Sequence, residues 1–156
     1  MADPVPRSVV DAFYEAYAAR DAEKVAKFLH EDVEWTISGP VDYLRFCGTH
    51  RGKAAVVDLI KRQVPQVLRV FSFVPESILV DGDRVAMLNR QSAKRSEDGR
   101  VIIFRVANFM RFLDGKLIEN LSLIDSFDAV EQVLGYPLTA KAGHPLVPVD
   151  GDLVTV

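Results

Sequence analysis

The sequence holds a single cysteine, Cys47, and that scarcity excludes two architectures at once. No disulfide can form within the chain, and no cysteine-based zinc cluster can be assembled. A thiol chemistry this sparse suits a reducing compartment. Histidines number three, and no cluster of histidines and carboxylates occurs at metal-ligand spacing, so no metal is predicted. His30, beside Glu31 and Asp32, reads as a surface residue. Long apolar runs are missing too, and the stretches present are far too short to span a bilayer. The opening residues, MADPVPRSVV, carry no apolar run behind a positive charge and do not read as a signal peptide. The expectation is a cytoplasmic protein without membrane contact. A net charge of −3, from 19 basic and 22 acidic residues, forces no basic face, so nucleic acid is not an expected partner.

What is present is a globular composition. Of 156 residues, 49% are hydrophobic and 26% charged, which is ordinary for one folded domain. A chain of this length buries roughly 70% of the surface its unfolded form exposes, enough for one core. Ser8 to Arg20 has Val10, Phe13, Tyr14 and Tyr17 at helical spacing, with Ser8 and Asp11 resembling a capping box. Asp21 caps a second short helix whose Val25, Phe28 and Leu29 share a face. Val33 to Ser38 alternates as a half-buried strand, and a loop follows from Gly39 to His50. A third helix is predicted from Arg51 to Val64, stopped by Pro65. Four strands come next, Phe71–Val80, Arg84–Ser96, Arg100–Leu113 and Lys116–Asp125, joined by turns that each contain Asp-Gly. A closing helix, Asp128–Leu134, ends at Gly135 with Pro137 just beyond. Residues 1–137 are expected to form one domain and 138–156 a C-terminal extension. The class is α+β: three N-terminal helices packed on a curved antiparallel sheet, cone-shaped and enclosing a pocket.

That order, with the segments DAEKVAKFLHEDVEW (Asp21–Trp35), GTHRGKAAVVDLI (Gly48–Ile60) and DGKLIENLSLIDSFDAVEQVLG (Asp114–Gly135), resembles the NTF2-like superfamily. Within it, the chain is similar to SnoaL-like polyketide cyclases and ketosteroid isomerase relatives. The resemblance implies the cone fold and the possibility of an acid/base aspartate at Asp125. It also implies differences. Phe13 stands where ketosteroid isomerases have a catalytic tyrosine, Thr36 or Ile37 where they have the base aspartate, and Asn108 where they have a donor aspartate. Steroid isomerisation is therefore not expected. SnoaL-like proteins often have an arginine where this chain has Leu121, which argues against a highly anionic substrate.

The candidate site follows from period-two counting along the last two strands. Phe104, Val106, Asn108, Met110 and Phe112 share one face, and a lone amide on an apolar face needs partners. Asn108 is thus either an oxygen-stabilising donor or a buried amide satisfied by its surroundings. Leu117, Glu119, Leu121, Leu123 and Asp125 share a face that the same counting aims inward. Asp125 is either a general acid or base with a raised pKa or an ordinary helix cap. Glu119 is either its partner or half of a structural ion pair. Tyr14, Tyr17, Trp35, Phe46 and His50 complete the expected ligand-lining set with Phe104, Met110, Glu119, Leu121 and Leu123, although an aromatic stripe also suits plain core. Cys47 is expected packed in the loop over the cavity mouth.

Two functions fit. One is a cofactor-free enzyme, an isomerase, cyclase, dehydratase or hydrolase moving protons on a small apolar carbonyl or hydroxyl compound. The other is a non-catalytic ligand-binding or dimerisation module. Val101, Ile103, Ala107 and Phe109 on the opposite face of the long strand are too apolar for solvent, which predicts a homodimer through the outer face of the sheet.

Overall fold

The structure, a computed structural model, describes residues 3–139; most of the expected C-terminal extension lies outside them. Helix α1 (Arg7–Ala18) buries Val10, Phe13, Tyr14 and Ala16. It begins at Pro6, whose missing N–H is no loss at a helix start, and has no capping box. Arg7 instead bonds Asp11 one turn on. Helix α2 (Ala22–Ala26) starts as expected at Asp21, whose carboxylate accepts the Lys24 N–H at 3.0 Å. It is shorter than its periodicity suggested, because Leu29 already opens β1 (Leu29–Ser38). The loop that follows ends in a short strand, β2 (Gly48–Arg51), which was expected to be irregular.

The third helix does not stop at Pro65. It runs as α3 (Lys53–Asp58), a π-helical turn (Leu59–Gln63) and α4 (Val64–Val67). A proline inside an α-helix removes one hydrogen bond and clashes with the carbonyl four residues back. The wider turn, in which Val64 N–H reaches Leu59 O, lets the helix continue through that site.

Strands β3 (Leu68–Asp81), β4 (Arg84–Arg95), β5 (Val101–Leu113) and β6 (Lys116–Ile124) form the predicted antiparallel meander. The sheet order is β2-β1-β6-β5-β4-β3, with β1 parallel to β6. The sheet is curved and unclosed, and its inner face packs on the helices. Phe13 is the hub of an aromatic cluster in the core. Its ring centre lies 5.2 Å from Tyr14, 6.1 Å from Tyr17 and from Phe28, and 6.4 Å from Trp35 and from Phe112.

One register irregularity governs the interior. Arg111 pairs with Glu119, but the next residue, Phe112, pairs with Leu117. Ile118 is therefore an extra residue, a β-bulge on β6. Beyond it the faces exchange. Leu117 is buried, and so are Asn120 and Ser122, whereas Glu119, Leu121 and Leu123 face outward.

Helix α5 (Ser126–Leu134) lies over the end of β5 that β6 no longer covers. Gln132 supplies the missing ladder: its Oε1 accepts Ile103 N–H at 2.9 Å and its Nε2 donates to Ile103 O at 2.8 Å. Asp128 holds that amide in place at 2.7 Å. Gly135 ends the helix in the left-handed region, at φ 82°. Among the described residues, no helix is long and apolar enough to cross a membrane. Replacing Gln132 with Ala removes its two hydrogen bonds to Ile103, worth about 1 kcal/mol each, together with the exposed one to Asp128, so Q132A should unfold at lower urea with a loss of about 1–2 kcal/mol.

Candidate functional site

Four polar side chains of adjoining strands meet on the concave face of the sheet. Gln91 and Asn89 come from β4, Asn108 from β5 and Ser122 from β6, all buried. Arg20, half-buried at the end of α1, starts a chain of hydrogen bonds through them. Its Nη2 donates to Gln91 Oε1 at 2.8 Å, and Gln91 Nε2 donates to Asn89 Oδ1 at 2.9 Å. Asn89 Nδ2 donates to Asn108 Oδ1 at 2.9 Å and to Val106 O at 3.0 Å. Asn108 Nδ2 donates to Ser122 Oγ at 2.7 Å and to Asn120 Oδ1 at 3.4 Å, and Asn120 Nδ2 donates to Ser122 Oγ at 2.9 Å.

The direction of this chain is fixed by chemistry. A guanidinium has donors only, so Gln91 must present its oxygen to Arg20. Each following amide is then oriented in turn. The chain ends at Ser122, whose oxygen accepts two bonds and whose hydrogen is left to donate.

Beside this ladder lies a cavity of about 40 Å³, lined by Tyr17, Phe46, Phe104, Ile37, Val70 and Ile124, with Arg20, Gln91 and Ser122 as its polar wall. That volume holds about three waters or a ligand of similar bulk. Among the described residues, no Asp, Glu or His lines it.

The expected residues divide accordingly. Tyr17, Phe46 and Phe104 line the cavity. Tyr14, Trp35 and Met110 are buried in the core, where Tyr14 Oη donates to Met110 Sδ at 3.5 Å. Burial pushes the Tyr14 hydroxyl pKa far up, so it is not a proton donor in ordinary use. His50 sits on β2, with its Nε2 on Phe46 O at 3.0 Å, and steadies the loop rather than facing the cavity. Cys47 is buried against Gly39, and burial raises its thiol to about 11.

Asn108 does face inward, but its amide is fully engaged by Asn89, Ser122 and Asn120. It has no donor free for a ligand oxygen. Asp125, Glu119, Leu121 and Leu123 are not inside. The bulge at Ile118 carries Glu119, Leu121 and Leu123 to the outer face, and Asp125 follows β6 as the exposed first residue before α5. Asp125 makes no side-chain cap bond. Glu119 forms a surface pair with Arg111, at 3.0 and 2.5 Å, which holds its carboxyl below the usual range. Leu121, being outside, says nothing about the charge of the ligand.

Sequence reasoning missed Arg20, Asn89, Gln91, Asn120 and Ser122. Asn89 and Gln91 carried the same signal as Asn108, polar residues in phase with Val85, Met87 and Ala93 on an apolar face. Asn120 and Ser122 were hidden by the bulge.

The sequence profile of the SnoaL-like domain matches residues 10–120. The chain belongs to the SnoaL-like family. Among solved structures of this NTF2-like superfamily, it is similar to an isomerase candidate from Rhodopseudomonas palustris, with 33% identity over 81% of this chain and 93% of that one, TM-score 0.71. An NTF2-like protein of unknown function from Burkholderia pseudomallei has the same fold at 23% identity, over 81% and 95% of the two chains, TM-score 0.73. So does a hypothetical protein with a ketosteroid isomerase-like fold from Catenulispora acidiphila, solved with trimethylamine, at 14% identity over 87% and 99%, TM-score 0.67. No curated protein matches the chain.

Two substitutions separate the ladder from the outside carboxylate. N108L strands buried polar groups of Asn89, Asn120 and Ser122, and should lower unfolding free energy by about 2–3 kcal/mol. D125N alters an exposed residue and should stay within about 0.5 kcal/mol of the parent in the same chemical denaturation.

Proposed function

We propose that this protein is a small-molecule-binding member of the SnoaL-like family that holds a compact, largely apolar compound by a polar end. The reading invokes neither metal nor cofactor. The observation that supports it is the cavity wall: aromatic and aliphatic side chains on most sides, hydrogen-bonding groups on one, and no carboxylate or imidazole among the described residues lining it. Pockets of this composition orient a ligand by a few polar contacts and hold the rest by exclusion of water.

A second reading, proton-transfer catalysis on a carbonyl or hydroxyl compound, draws support from the isomerase candidate at 33% identity. It cannot run through Asp125 at this cavity, and Asn108 has no free donor. The Tyr17 phenol is the cavity-lining group best able to exchange a proton. Thermal shift with the smallest ketones, alcohols and amides, followed by NMR for product, distinguishes the two. Stabilisation without turnover is expected, and V70F, which fills the cavity, should abolish it. Turnover lost in Y17F would replace the binding reading with the catalytic one.

We also propose a homodimer through the outer face of the sheet. Phe109 lies opposite Leu121 and Ala86, and Leu79 lies opposite Ala86, in a shallow groove of about 600 Å³. Phe109, Leu121 and Leu79 are 52%, 40% and 68% exposed in the single chain, an unusual row for a solvent face. The Arg111–Glu119 and Arg105–Glu76 pairs add charges of both signs to the same face, which suits a self-complementary contact. Sedimentation equilibrium should give a dimer for the parent chain and a monomer for F109E; a monomeric parent at micromolar concentration would refute the contact.

A further inference from the structure

The small-molecule reading of the cavity leaves the ligand's polar end unspecified, and the ladder specifies it. Apart from the Tyr17 hydroxyl, which donates or accepts, the groups that the cavity wall has left over are donors. Ser122 has its hydroxyl hydrogen, because both lone pairs are taken by Asn108 and Asn120. Gln91 has one amide hydrogen beyond the one given to Asn89, and its oxygen is occupied by Arg20. Arg20 uses only Nη2, and its Nε is buried with no partner.

Arg20 is also unneutralised. Among the described residues, no carboxylate forms an ion pair with it. Its guanidinium instead stacks on the Tyr17 ring, 4.5 Å from the ring centre, which fixes its plane beside the cavity. The backbone adds a separate observation. Asp21 N–H bonds Ala16 O and Arg20 N–H bonds Tyr17 O, so α1 ends in a Schellman motif with Arg20 in the left-handed position, at φ 55°. Glycine is the residue suited to that place, and an arginine there is strained. The strained residue is the one whose side chain begins the ladder and reaches the cavity.

We propose that the cavity takes a small monocarboxylate, its carboxylate held by the Arg20 guanidinium with Ser122 as a second donor. The hydrocarbon part packs against Tyr17, Phe46 and Phe104. A carboxylate has acceptors only and one negative charge, the complement of a wall with spare donors and one unpaired cation. This inference rests on the small-molecule reading and fails separately from it.

The test titrates the full chain with acetate and propionate, whose bulk matches the cavity, and with their neutral isosteres acetamide and propionamide, by calorimetry and thermal shift. Each acid should bind at least about tenfold more tightly than its amide, the effect of one charge-assisted contact. R20G, which suits the left-handed backbone, should remain folded and lose that preference, while R20K keeps part of it. Amides binding as well as the acids, or an acid preference unchanged in R20G, would overturn the carboxylate assignment and leave the small-molecule reading standing. If R20G does not fold, an unchanged acid preference in R20Q would overturn the assignment equally. Failure of all four compounds and of the neutral panel would overturn both.

Discussion

The extra residue in β6 decides what the inside of this cone is made of. Without Ile118 in excess, β6 would turn Leu121 and Leu123 toward the helices and a carboxylate toward the interior. With it, Asn120 and Ser122 point inward and the leucines join Phe109 outside. A single backbone insertion thus exchanges an apolar wall for a polar one on one side of the sheet and does the reverse on the other. Both proposed roles, the ligand wall within and the self-association face without, follow from the same irregularity.

Buried amides are tolerated only when every one is matched, since an unpaired polar group costs about 1–3 kcal/mol. Here the matching is directional. Arg20 orients Gln91, which orients Asn89, and so on to Ser122. In a low-dielectric interior such a chain polarises its members cooperatively. The interior is therefore electrically one-sided, although among the described residues the charge that faces it, Arg20, stands at the rim.

The fold was legible because its signals are local and redundant. The three Asp-Gly turns fall where they were expected, between β3 and β4, β4 and β5, and β5 and β6. The alternation of β5 was read correctly from end to end, and the outer apolar row with it. The site was less legible, for two physical reasons. Period-two counting has no means of registering an inserted residue, so the error at Ile118 propagated to Glu119, Leu121, Leu123 and Asp125 together. Pro65 misled in the opposite way, since a wider, π-helical turn let the helix pass through it. Arg20 was overlooked because it stands at the end of a helix, where a charged residue is unremarked until its backbone angle is known.

Gln132 carries a consequence beyond the two bonds it makes to Ile103. Where β6 ends, β5 would otherwise offer unpaired N–H and C=O groups to any extended segment nearby. A side-chain amide is a peptide group in miniature, and this one occupies Ile103 as a neighbouring strand would. The closing helix thereby closes this stretch of β5 to stray strand addition, with a side chain standing in for the strand that β6 does not extend to supply.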